Sequence, residues 1–327
     1  MLKIKFVDVH WEFDREDNFI IDIIKRNFGD YEISDKPDFL FFSCEGTEHY
    51  KYDNCVKIFF TGQPVTPDFN QCDYGIGYDD LVFGERFCKR PYWDTRTVPK
   101  TTTKSDEELL NRKFCNFVYS NETRGTAVEL RKKFALKLME YKHVDCPGKV
   151  LNNMTDAIAP RHNNWEEGKL RFIEDYKFTI AFENNKMIGY TTEKLEDPLY
   201  VHSVPIYWGN PNVKTFFNED AFVFCNGLEE DFDKNIDSII ERIIYLDTHD
   251  DEYLKMVKAP CMNDSYDTKK AKEDLENFVV GILKKGNVPY EKDALGLAKK
   301  MSIPDLSSKE LINRLFWKVK YHLRKKR

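Results

Sequence analysis

No apolar stretch in these 327 residues runs uninterrupted for the ~18 expected of a membrane-spanning helix, so no such helix is expected. A secretion leader is not expected either, because residues 3–9 (KIKFVDV) open directly as a strand. The eight cysteines, at 44, 55, 72, 88, 115, 146, 225 and 261, form no CxxC pair and no metal-ligand spacing. Scattered in this way, they read as reduced thiols of a cytoplasmic protein, and no metal site is expected from them. The sequons at Asn121, Asn153 and Asn263 are then incidental. Repeats and low-complexity tracts are absent. The chain also lacks the basic body of a nucleic-acid binder. Its net charge is −6, and residues 309–327 carry eight Lys or Arg against one acid, so the tail is +7 and the remainder −13.

What is present is globular. Hydrophobic residues make up 41% and aromatics 14%, and the length allows two domains with separate cores. Strand and helix signals alternate in two blocks. The first has strands over 4–9, 38–44 and 56–60, and a helix over 18–27. Residues 96–106 (RTVPKTTTKSD) read as a linker. The second block has a strand over 114–119, a helix over 126–140, a turn at Pro147 and Gly148, a strand over 222–224 and a helix over 237–246. This predicts an α/β protein of two Rossmann-like domains facing across a cleft, the glycosyltransferase-B architecture. The expected boundaries are 1–108 and 109–290, with a C-terminal segment over 291–327.

The most informative run is 176–195 (YKFTIAFENNKMIGYTTEKL) with 204–209 (VPIYWG). It reads as a strand, a polar turn, a helix and a second strand. In a βαβ unit of this kind the turn lies at the carboxyl ends of parallel strands, where ligands bind. Thr191 or Thr192 can cap the helix, which puts Glu193 and Lys194 in its first turn. A helix N-terminus beside a lysine suits a diphosphate, and a carboxylate there can accept hydrogen bonds from ribose hydroxyls. A sugar-nucleotide site follows. Phe182, Tyr207 and Trp208 read as core. On spacing alone Arg131, beside Lys132 and Lys133, would be a solvated helix residue.

These motifs closely resemble the signature of the α1,3-fucosyltransferases, glycosyltransferase family 10, and the bacterial members most. IFFTG at 58–62, PDFNQCDYGIGYD at 67–79 and FVYSN at 117–121 extend the resemblance more thinly. It implies the same two-domain fold, with the donor site in the second domain and the acceptor site mainly in the first. It implies Arg131 and Lys194 as cations for the leaving diphosphate, Tyr190 and Glu193 at the nucleotide and its ribose or sugar, and Asn184 in the same turn. The implied reaction is inverting transfer of L-fucose from GDP-fucose, in α1,3 linkage, to an N-acetylglucosamine-containing glycan of N-acetyllactosamine or Lewis type, as in a lipopolysaccharide O-antigen. No obligatory cofactor is expected, with Mn2+ or Mg2+ at most stimulating product release. The Asp231-Phe-Asp233 triplet reads as a solvated helix cap.

One position departs from the family pattern. Bacterial relatives commonly follow the Thr-Gly pair with a Glu proposed to take the acceptor proton, whereas Thr61-Gly62 is followed here by Gln63. An amide has no useful basicity near neutral pH. Another carboxylate takes over, the donor or acceptor chemistry differs, or the site is disabled. Candidates for a substitute base are Glu45, which on this reading closes the strand next to that of Gln63, and Glu183 from the donor side. Asp8, His10 and Trp11 end the first strand and border the acceptor side. Two alternatives stay open: the same fold with another GDP-sugar, and a weakly active GDP-sugar-binding protein.

Residues 308–327 form a basic amphipathic helix pattern, with Leu311, Ile312, Leu315, Phe316 and Val319 on one face. It suits an anionic membrane surface, on the inner face of the cytoplasmic membrane, or packing back on the fold.

Overall fold

The structure, a computed structural model, describes residues 1–92, 96–99, 101–123, 125, 127–155, 158 and 165–290. The basic segment 308–327 lies outside the described residues.

The chain divides into two compact units. The first comprises Met1–Phe60, Pro67–Ile76 and the chain from Val280, and the second Thr61–Thr66 and Gly77–Val279. These limits differ from a single boundary near residue 108, because packing and not linker composition decides them. Tyr92 packs on Phe217 and Tyr266 of the second unit. Tyr290 returns to the first unit, where its backbone N–H donates to Asp73 and its ring meets Tyr74.

In the first unit, strands β1 (Leu2–Val7), β2 (Tyr31–Ile33), β3 (Phe39–Phe42), β4 (Val56–Phe60) and β5 (Tyr74–Gly77) run in the order β2-β1-β3-β4-β5. Every described pairing among them is parallel. Helix α1 (Phe19–Phe28) starts because the Asn18 side chain accepts from the N–H groups of Ile20 and Ile21. It buries Ile20, Ile21, Ile23 and Ile24, and each such burial contributes roughly 1.5–3 kcal/mol. Strand β1 stops at Val7 and not at 9, because Asp8 turns into the left-handed region at φ 53°. Strand β3 likewise ends at Phe42, so Glu45 lies three residues beyond it and does not close it. Gln63 stands equally far beyond β4.

In the second unit, β6 (Phe87–Lys89) and α2 (Asp106–Leu110) precede a parallel sheet. That sheet is built from β7 (Lys113–Asn116), β8 (Val144–Asp145), β9 (Tyr176–Phe182), β10 (Val204–Trp208) and β11 (Val223–Phe224), in the order β11-β10-β9-β7-β8. Helices α3 (Ala127–Met139), α4 (Trp165–Ile173), α5 (Glu193–Tyr200), α6 (Phe232–Thr248) and α7 (Asp250–Val257) accompany it. Strand β9 is buried along its whole length, as the central strand of a doubly covered parallel sheet must be. Asp231 caps α6 by accepting from the Lys234 N–H, so the helix begins five residues earlier than its apolar periodicity indicates. Helix α8 (Thr268–Lys284) contains the limit between the units. Among the described residues, no helix is long and apolar enough to cross a membrane.

Candidate functional site

The polar turn after β9 is held from three sides. The Glu183 N–H donates to the Trp208 carbonyl at the end of β10, over 2.8 Å. Its carboxylate, fully buried, accepts from both the N–H and the hydroxyl of Thr192, the N-cap of α5. Gly209 makes room for this: at φ 155° it has the freedom of glycine, and a Cβ there would lie 2.5 Å from Glu183 Cγ. Asn210, 1% exposed, accepts from the Gly189 N–H and donates to Thr191 Oγ1. The turn is therefore rigid, and α5 starts at a fixed point.

Its first two residues are the charged ones. Lys194 Nζ lies 2.9 Å from Glu193 and 3.6 Å from Glu183. Burial alone would lower the Lys194 ammonium, but Glu193 and Glu183 outweigh it and hold it well above its ordinary value. Glu183 is pushed up to about 7 by burial, opposed by Lys194. Burial would also raise Glu193, but Lys194 and then Lys169 hold it below the usual carboxylate range. Half of its side chain faces solvent, so a ligand can reach it.

Arg131 is not the solvated residue its lysine neighbours suggest. It is fully buried on α3, its guanidinium 4.3 Å from the centre of the Tyr119 ring. It donates to Asn184 Oδ1 over 3.1 Å and to the Asn121 carbonyl, while its Nε has no partner. Among the described residues no carboxylate pairs with it, and burial lowers its pKa. A buried cation without a counter-ion is costly, and an anionic ligand would relieve it. Tyr119 also accepts from the Phe182 N–H and so ties Arg131 to the end of β9.

A pocket of about 890 Å³ opens at the carboxyl ends of β7, β8 and β9, with walls from α4 and α5. Asn184, Glu193 and Lys194 line it, whereas Arg131 stands behind Asn121, Asn184 and Tyr119. Glu183 also lies outside the lining, and Tyr190 is 2% exposed with its ring edge-on to Tyr78 at 5.4 Å. The lining includes residues that carried no sequence signal, among them Trp165 and Lys169 on α4. Lys169 sits in a charged helical stretch that looks solvated, and the packing of α4 against α5 and β9 buries it. Among the described residues no group of three His, Cys, Asp or Glu could hold a metal ion.

In the first unit, Glu45 is exposed, and its backbone N–H donates to the Asp8 carbonyl over 2.9 Å. Asp8 accepts from the N–H groups of Glu48 and His49 and from His49 Nδ1, the last at 2.6 Å. His49 is buried against Phe42 and reaches Gln71 through Nε2, so it orders this loop. Trp11 is 69% exposed. Gln63 is exposed in the segment grouped with the second unit, its N–H donating to Thr61 Oγ1.

Residues 102–277 match the family model described as glycosyltransferase family 10 (fucosyltransferase), C-terminal, and residues 4–95 match the α-(1,3)-fucosyltransferase FucT N-terminal domain. The chain belongs to glycosyltransferase family 10. Among curated family relatives, it is 31% identical to the α-(1,3)-fucosyltransferase FucT of Helicobacter pylori over 248 residues, covering 65% of this chain and 48% of that protein. It is 32% identical to α-(1,3)-fucosyltransferase B of Drosophila melanogaster over 104 residues, 30% of this chain and 23% of that protein. The chain thus spans about half or less of the length of these relatives. A solved α1,3-fucosyltransferase with GDP superposes with a TM-score of 0.66 at 26% identity, covering 88% of this chain and 93% of the other. One with GDP-fucose gives 0.64 at 25%, covering 85% and 90%. With two parallel α/β units, the fold class is glycosyltransferase-B, as expected.

Proposed function

We propose that this chain transfers L-fucose from GDP-fucose, with inversion and in α1,3 linkage, to a hydroxyl of an N-acetylglucosamine-containing glycan. The observation that carries the reading is the pocket at the start of α5. There Lys194 and the half-exposed Glu193 line the pocket, and behind the Asn184 turn lies a buried Arg131 that has no acidic partner among the described residues. Family membership and the likeness to enzymes solved with GDP and GDP-fucose support the donor.

In this reading Lys194 and the α5 N-terminus neutralise the diphosphate, and Glu193 accepts from ribose hydroxyls. Arg131 adds a second positive charge through the Asn184 turn. The acceptor oxygen attacks the anomeric carbon, and the bond to the phosphate oxygen breaks with its electron pair leaving on GDP. The acceptor proton goes to Glu45, whose exposure and backbone anchorage at Asp8 suit a base, while Gln63 orients the acceptor by hydrogen bonds. Glu183 serves as the clamp of the donor turn, since both its oxygens are engaged by Thr192. Divalent Mn2+ or Mg2+ enters only as an aid to GDP release, and EDTA is expected to leave most turnover intact. The basic pattern of 308–327 supports attachment to anionic membranes, which liposome co-sedimentation tests.

The direct test is GDP release from GDP-fucose with and without N-acetyllactosamine. Acceptor-dependent release supports transfer. GDP binding that Lys194→Ala abolishes, with no release, favours the second reading, a weakly active GDP-sugar-binding protein, which Gln63 motivates. Release with another GDP-sugar in place of GDP-fucose favours a changed donor.

A further inference from the structure

Helix α4 contributes two residues to the pocket wall that no family motif of this sequence includes. Trp165 and Lys169 stand one turn apart on one face, with Lys169 Nζ 5.9 Å from the Trp165 ring centre. Lys169 is 7% exposed, and its ammonium is held 2.8 Å from Asp197, a buried carboxylate of α5 that also receives Arg96. With Arg96 in place, Asp197 keeps a cation when Lys169 turns one of its three N–H donors to a ligand.

These groups continue a sequence of charges along the pocket. Lys194 touches Glu193 at 2.9 Å, Glu193 feels the charge of Lys169, and Lys169 lies by Trp165. If Lys194 takes the diphosphate and Glu193 the ribose, the α4 wall of the pocket offers the base an aromatic face beside a buried ammonium. A base offers a π-face for stacking, and guanine alone presents two adjacent acceptors, O6 and N7, to one cation. Adenine puts an amino group where guanine has O6, so an ammonium meets a second donor there. We propose that Trp165 and Lys169 form the base-reading end of the pocket, Trp165 stacking on the purine and Lys169 donating to guanine O6 and N7. This rests on the donor reading above.

The test is calorimetric binding of GDP, ADP, UDP and inorganic pyrophosphate to the full chain and to Lys169→Met, Lys169→Arg and Trp165→Leu. The expected result is that the wild type prefers GDP to ADP, and that K169M lowers GDP affinity by about tenfold, the effect of one base-edge contact. ADP and pyrophosphate affinities stay unchanged in K169M, and K169R, which keeps the pair with Asp197, retains most of the preference for GDP. W165L weakens GDP and ADP together and spares pyrophosphate. It carries the test if K169M does not fold, because Trp165 stands outside the buried ion pair. An unchanged GDP-to-ADP ratio in K169M overturns the proposal, as does equal weakening of GDP and pyrophosphate in either variant. Pyrophosphate binding by a wild type indifferent to the base overturns the base-reading end but leaves the phosphate site standing. Failure of the wild type to bind any nucleoside diphosphate overturns the donor reading itself.

Discussion

The backbone N–H and the hydroxyl of Thr192 both donate to the carboxylate of Glu183, each over 2.8 Å. Through this pair of hydrogen bonds the end of β9 fixes the first turn of α5, and with it Glu193 and Lys194. Glu183→Ala leaves the two buried Thr192 donors without their acceptor, while Lys194 keeps Glu193. The expected loss is roughly 3 kcal/mol of unfolding free energy by urea titration, with weaker GDP binding. Glu183→Gln keeps one acceptor and is expected to fall between wild type and Glu183→Ala.

The same carboxyl gives a pH signature. Its folded value, pushed up to about 7 by burial, lies above the ordinary 4.5. Between these values the folded state holds the proton and the unfolded state does not. Its contribution to stability is therefore complete below pH 4.5 and declines as pH rises through about 7. The shift corresponds to roughly 3 kcal/mol. Thermal melts of E183Q across this range are expected to show a flatter dependence than wild type, and identical slopes would refute the assignment.

Arg131 should separate binding from folding. Its charge is buried with no acidic partner among the described residues, so Arg131→Met gives up little electrostatic stabilisation in the free protein. Donor affinity is expected to fall by about 10–100-fold, because the positive charge behind the pocket and the bonds that hold Asn184 and Asn121 are both lost, while Tm moves by only a few degrees. Arg131→Lys should not restore affinity, because an ammonium cannot reproduce the fork that holds Asn184 and Asn121. Calorimetric Kd values for GDP decide this.

Glu45 and Gln63 can be told apart by kinetics. Glu45→Gln is expected to lower acceptor-dependent kcat by about 10²–10⁴-fold, the range for loss of a general base, with the Kd for GDP unchanged. Gln63→Glu is expected to lower turnover, because the amide that orients the acceptor is lost. A large rise in Q63E would instead mean that the site lacks its base and that Glu45 does not supply it.

The anchor of the Glu45 loop has its own signature. Burial would raise the Asp8 carboxyl, but the His49 side chain and the His49 and Glu48 N–H groups hold it below its ordinary value. That contribution is present above the ordinary carboxylate range and is lost as pH falls through the lowered folded value. Asp8→Asn tolerates the left-handed backbone but surrenders the charge, and roughly 2 kcal/mol of stability is expected to go with it in urea denaturation.

Local sequence determined much of this molecule. Alternating apolar runs and turn residues identify β1, β3, β4, β7, β9, β10 and β11 to within a few residues, and miss the short β2, β5, β6 and β8. The Thr-Thr-Glu-Lys segment identifies the start of α5 and its charged turn, because capping and periodicity act over a few neighbouring residues. Long-range packing decided the rest. Arg131 beside two lysines looks solvated, and only Tyr119 and the Asn184 turn enclose it. Glu183, marked as a base by its motif, becomes a clamp because Gly209 lets β10 press against it. Trp165 and Lys169 join the pocket because α4 packs on α5 and β9. Burial, and with it the protonation of Glu183 and the isolation of Arg131, depends on atoms dozens of residues away in the chain, which no local pattern encodes.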